Sequence, residues 1–63
     1  MRTSYDPEVD ALFVHLVDAP THESQEVAPD VIFDFDENGR LVRIEVLNAS
    51  RTVALGALQA AAE

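Results

Sequence analysis

The chain has 63 residues, no Cys, twelve Asp and Glu, and four Arg with no Lys, for a formal net charge of −8. At that length a fold hides only about 60% of the surface its unfolded form exposes, so residues 1–63 read as one small domain. The composition excludes disulfides and thiolate chemistry, puts zinc sites built from Cys and His out of reach, and opposes direct contact with a phosphate backbone.

Residues 2–5 form a short first strand, closed by Asp6-Pro7, because Asp before Pro is pushed out of the helical region and Pro presets a turn. The second strand covers residues 11–17. Its aliphatic side, Leu12, Val14 and Leu16, faces the core, and its mixed side carries Phe13 and His15. Residues 18–24 hold Pro20 among small polar residues without an apolar period and read as a surface loop. A brief strand over residues 25–28 leads into a Pro29-Asp30 turn and then a strand over residues 31–36. Val31, Phe33 and Phe35 lie on one side of that strand, and Ile32, Asp34 and Asp36 on the other. Residues 41–47 alternate again, with Val42, Ile44 and Val46 against Arg43 and Glu45.

After Leu47 the composition turns to Ala and Leu. Asn48 or Ser50 is the expected N-cap of a helix from about Arg51 toward Ala61, with Val53, Leu55 and Leu58 as a thin apolar stripe supported by Ala54, Ala57 and Ala61. Gly56 weakens such a helix by about 1 kcal/mol, so packing on the sheet has to hold it. The expected fold is α+β: an antiparallel β-meander of four to five short strands followed by one C-terminal helix packed on the sheet.

Residues 34–45 satisfy two incompatible patterns. Asp34, Asp36, Asn38 and Glu45, with Gly39 at the sixth position and Leu41 at the eighth, supply what a calcium loop of the helix-loop-helix type demands. That motif has meaning only between two helices, and the residues entering it are Pro29 followed by alternating β-branched and aromatic residues, which is strand chemistry. With Asn38-Gly39 as a two-residue turn, Phe35 meets Val42, Phe33 meets Ile44 and Val31 meets Val46 on one face. On the other face Asp34 meets Arg43 and Ile32 meets Glu45. A shift of one residue would destroy this separation. The hairpin is therefore the expected form, with calcium at Asp34, Asp36, Asn38 and Glu45 as the alternative.

Two stretches, Tyr5-Asp6-Pro7-Glu8-Val9-Asp10-Ala11-Leu12-Phe13-Val14 and Val31 through Val42 continuing to Ile44-Glu45-Val46-Leu47-Asn48-Ala49-Ser50, resemble the YuzE-like bacterial domains of unknown function. The resemblance covers roughly Tyr5 to Ser50 and implies a small cytosolic bacterial β-rich domain with no catalytic residues to carry over. Because some such domains are encoded beside small toxin-like proteins, it also suggests an antitoxin-like or accessory role toward a basic partner. The Ala-rich tail after Ser50 lies outside the shared pattern.

Acid-base or metal chemistry has poor material. His15, His22, Asp18 and Glu23 surround one Pro-containing loop at no regular spacing. The two Gly, Gly39 and Gly56, make no phosphate-binding loop. The expectation is a protein-interaction or accessory module, not an enzyme, with no cofactor, no nucleic acid and no membrane partner. It should be cytoplasmic, since no apolar run approaches the about 20 residues of a membrane span, and homodimeric, since so small a core needs reinforcement. A minor alternative is an enzyme using His15 and His22 at a dimer interface.

Overall fold

Strand alternation and turn chemistry resolve into β1 (Arg2–Asp6), β2 (Ala11–His15), β3 (Glu23–Ala28), β4 (Val31–Phe35) and β5 (Leu41–Leu47), followed by the short helix α1 (Ala49–Thr52). The structure is a computed structural model and describes residues 1–54 and 56–58. The strands form one sheet in the order β1-β2-β5-β4-β3, with every neighbouring pair antiparallel. A continuous meander does not form. Its two parts, β1-β2 and β3-β4-β5, are joined through the pairing of β2 with β5, and the chain after β2 crosses to the far edge before β3 begins. Burial explains the order: β2 and β5 contribute Ala11, Leu12, Val42 and Val46 to the core and lie inside. Every residue of β3 is exposed, and its Glu23-Ser24-Gln25-Glu26 sequence suits an edge that must not recruit another strand.

The β4-β5 hairpin keeps the expected register for four pairs: Val31 with Val46, Ile32 with Glu45, Phe33 with Ile44, and Asp34 with Arg43. It then slips, because Phe35 pairs with Leu41 and leaves Val42 as the extra residue of a bulge. The two-residue Asn38-Gly39 turn is replaced by a three-residue loop over residues 37–39. The Asp36 N–H donates to the Arg40 carbonyl at 2.8 Å, and the Gly39 N–H donates to the Asp36 carbonyl at 3.0 Å. Asn38 keeps a negative φ, and Gly39 alone takes the left-handed region, at φ 77°. The Asp36 carboxylate favours this form by accepting the N–H groups of Asn38 and Arg40, both at 2.9 Å. At the other end of β4, Pro29-Asp30 turns the chain as expected, with Asp30 at φ 64°, and Val27 forms a second bulge.

The long C-terminal helix divides. Helix α1 ends where Val53 turns extended (φ −114°, ψ 161°), and helical geometry returns over residues 56–58. The cause lies in the side chains: Thr52 Oγ1 donates back to the Leu47 and Asn48 carbonyls at 3.2 and 2.9 Å, and the β-branched Val53 follows it. Asn48 is the N-cap residue but makes no side-chain cap bond; at φ 50° its amide donates to Asp30 Oδ2 at 3.2 Å instead. Leu55 and residues 59–63, including Ala61 of the expected stripe, lie outside the described residues.

Leu58 and Ala49 join Leu12 and Val46 in the core, with Tyr5, Ile44 and Val53 packed against them. The C-terminal segment thus covers one end of one sheet face. By alternation that face also carries Val14, Val31 and Phe33, while the opposite face carries Arg2, Ser4, Phe13, His15, Arg43, Glu45, Asp34 and Ser24. Among the described residues no helix is long and apolar enough to cross a membrane.

Candidate functional site

The polar face concentrates its chemistry in one cross-strand row, Arg2-His15-Arg43-Asp34-Ser24, with one residue from each strand. Its centre is Asp34, which is wholly buried. Ser24 Oγ donates to Asp34 Oδ1, and Arg43 Nε donates to Oδ2 at 2.7 Å. The other end of the same guanidinium lies 3.7 Å from Glu45 Oε2 and donates to Thr21 Oγ1 at 3.4 Å. At the β1 end Arg2 pairs with Asp18 at 2.8 Å, while His15 Nε2 sits 3.2 Å from Ser4 Oγ.

Burial pushes the Asp34 carboxyl up, but hydrogen bonds from Glu45, Ser24 and Arg43, together with the Arg43 charge, outweigh it and hold the group below its usual range. Glu45 moves the other way. Its hydrogen bond to Asp34, then burial, then the Asp34 charge raise it against the pull of Arg43. Glu45 therefore keeps its proton to higher pH than an ordinary Glu, beside an Asp34 held ionised. His15 is lowered by burial first, then by the charges of Arg2 and Arg43, which favours the neutral imidazole.

The opposite shifts give a signed pH dependence. A carboxyl raised in the fold loses stability as pH rises from its ordinary 4.5 through its folded value, because the charge then forms beside Asp34. A carboxyl lowered in the fold loses stability only as pH falls below its ordinary 3.8 through its folded value. Glu45→Gln, whose amide can donate to Asp34 at any pH, should stabilise the domain at neutral pH by about 1 kcal/mol. It should also flatten the decline above the ordinary Glu range. Urea unfolding of both proteins across pH checks it, and parallel curves would show that Glu45 does not share its proton with Asp34.

The residues of the calcium alternative are dispersed by the strand-loop-strand form. Asp34 is buried in the sheet, Glu45 is beside it, Asp36 is turned onto backbone N–H groups, and Asn38 is exposed at the hairpin tip. Among the described residues no three His, Asp or Glu side chains form a group able to hold a metal ion. His15 and His22 also part: His15 lies on the sheet beside Ser4, whereas His22 lines an open cleft of about 370 Å³ between the β2-β3 loop and the hairpin tip, facing Asp36, Glu37 and Asn38.

A second polar centre escaped the sequence reading. Asp10, at φ 54°, accepts Tyr5 Oη–H at 2.7 Å and the Ser50 N–H at 3.0 Å on one carboxylate oxygen, and Ser50 Oγ–H at 2.7 Å on the other. Its carbonyl accepts the Ala49 N–H at 2.9 Å. Ser50 and Tyr5 hold the Asp10 carboxyl low, and Asp10 in turn raises the Tyr5 phenol. Asp30 does similar work, accepting the Leu47 N–H on its carbonyl at 2.8 Å beside its bond to Asn48. Tyr5, Asp10, Asn48 and Ser50 all fall in the two stretches that carry the family resemblance, and that was the available signal: Tyr5, Asp10 and Ser50 form a latch between the first hairpin and the C-terminal segment, and Asn48 ties that segment to the β3-β4 turn.

A family model described as a protein of unknown function, DUF2283, matches residues 2–50. The uncharacterized protein MJ0789 of Methanocaldococcus jannaschii is 41% identical over 51 residues, which are 81% of this chain and 43% of that protein. The chain thus spans less than half the length of this relative, which is archaeal where the resemblance implied a bacterial domain. No solved structure matches the chain.

Proposed function

The chain belongs to the DUF2283 family, whose description assigns no activity, and from that premise we propose that it works as a cytoplasmic protein-interaction module and not as an enzyme. Within the family we read it as one of the YuzE-like domains. The strong polar groups support this reading because they are already engaged: Asp34 with Ser24 and Arg43, Asp10 with Tyr5 and Ser50, Asp36 with its own turn, and Asp18 with Arg2. A catalytic group has to keep a lone pair or a proton for substrate.

The observation that carries the proposal is the apolar sheet face. Val14, Phe33 and Phe35 remain partly exposed beyond the end that the C-terminal segment covers, and Ile44, half-buried against the core, borders them. Around such a face, a net charge of −8 favours approach by a basic partner, and neutralising a basic toxin is one accessory role that fits.

Nuclear magnetic resonance tests it on the side chains themselves. Adding the protein encoded beside this one, or raising the concentration of the chain alone, should shift the methyl signals of Val14 and Ile44 and the ring signals of Phe33 and Phe35. The ring signals of His15 should stay in place. Shifts confined to His15, Arg43 and Glu45 would assign binding to the wrong face, and no shift under either condition would overturn the interaction reading.

A further inference from the structure

We propose that the apolar sheet face is covered by the same face of a second copy of this chain, in a two-fold dimer of stacked sheets; this rests on the interaction reading above. The first argument is the composition of the core. Among the described residues the buried apolar side chains are Ala11, Leu12, Val42, Val46, Ala49 and Leu58, none of them aromatic. Tyr5 and all three Phe stay partly exposed. A domain this small leaves its largest apolar groups at the surface unless a partner removes them from water.

Charge selects the kind of partner. Alternation sends Arg2, Arg43, Asp34, Glu45 and Glu26 to the opposite face, and on the apolar face it leaves Glu23, opposite Phe35 on the exposed edge strand. The repulsion that a charge of −8 creates between copies therefore acts at the rim, and the centre requires an apolar counterpart. A second copy supplies one. The rings of Phe33 and Phe35, with centroids 6.4 Å apart at 67°, make a ridge on β4. Across a two-fold axis that ridge meets the aliphatic ground of Val14 on β2 of the other copy and of Leu16 just beyond the end of that strand, and the reciprocal contact forms by symmetry.

Area sets the strength of the dimer. The Cα extents of 33 by 24 Å in the two longer dimensions bound the face at roughly 800 Å² per copy, the share of a standard stable interface, and the C-terminal segment covers one end of it, so the free part forms a smaller, reversible interface. Stacked sheets pack about 10 Å apart, which suits side chains of this size.

Sedimentation equilibrium of the full chain is the test, with circular dichroism to confirm folding. The parent should be dimeric, and Phe33→Ser and the nearly isosteric Val14→Thr should each weaken the dimer at least about tenfold. Phe13→Ser, on the opposite face, should leave it unchanged. A folded parent still monomeric at about 1 mM would overturn the second copy as occupant. Binding of an apolar fluorescent dye then separates the two ideas: a monomer that binds dye, and loses it in Val14→Thr, leaves the interaction reading standing, whereas one that binds none removes both. A dimer that dissociates with Phe13→Ser but not with Val14→Thr would place self-association on the polar face and overturn the proposal.

Discussion

Asp34→Ala should destabilise the domain by about 3 kcal/mol, the lower end of the range for removing one partner of a buried ion pair. For a chain of 63 residues with a total stability of roughly 3–9 kcal/mol, that takes away a third of the margin or all of it. The low end applies because Arg43 is 35% exposed and its other nitrogen already lies 3.7 Å from Glu45. Once Asp34 is gone, Glu45 loses the neighbour that does most to raise it, ionises at lower pH than in the parent and inherits the guanidinium. Ser24, on the exposed edge strand, exchanges its bond for one to water. Two measurements check the argument. Urea unfolding should show the midpoint falling while Asp34→Leu with Arg43→Met, which removes both charges together, costs less than Asp34→Ala alone. A carboxyl titration should show Glu45 moving down from its position in the parent. The same experiment separates architecture from chemistry, since a carboxylate kept strained for a ligand commonly stabilises the fold when removed. An Asp34→Ala protein as stable as its parent would reopen the case for a reactive site.

The register of β4 and β5 was legible because three local signals agreed: side-chain alternation, the Gly39 turn, and the opposite charges of Asp34 and Arg43. The bulge at Val42 was not legible, because the same residues suit a two-residue or a three-residue loop, and the choice falls to the Asp36 side chain bonding its own turn. Strand order was hidden for a different reason. Alternation says which face a residue takes but not which strand lies beside it, and the pairing of β2 with β5 is set by the shared burial of Leu12 and Val46 across 34 positions of chain. The Asp10 latch was hidden by distance too, its bonds to Ser50 spanning 40 positions. Read locally, Asp10 is a turn residue and Ser50 a helix cap; only the fold makes them partners. Thr52 and Val53 carried a readable warning against a continuous helix, which the Ala-rich composition outweighed in the reading of propensity alone.

Leu58→Ala should cost about 2 kcal/mol, the lower bound for such a truncation, because the loss is limited by the free energy with which the C-terminal segment docks. That segment is held at two points of different chemistry. At its start, Asp10 binds Ala49 and Ser50 through hydrogen bonds; at its end, Val53 and Leu58 pack on Leu12 and Val46. Removing the Leu58 side chain, which is 8% exposed, loosens the second point and leaves the first. Hydrogen exchange should therefore accelerate at the Ala57 N–H, which donates to the Ala54 carbonyl, and remain slow at Ala49 and Arg51. The sheet should persist with its pairing intact. If the whole domain instead melts earlier in one transition with uniform loss of protection, the segment and the sheet are a single cooperative unit, and the latch at Asp10 cannot hold α1 by itself. In the first case the loosened segment uncovers Tyr5, Leu12 and Val46 beside Val14 and Phe33. The truncated protein should then self-associate more strongly than its parent even though each copy is less stable, since the apolar area that its own tail no longer covers is offered to a second chain.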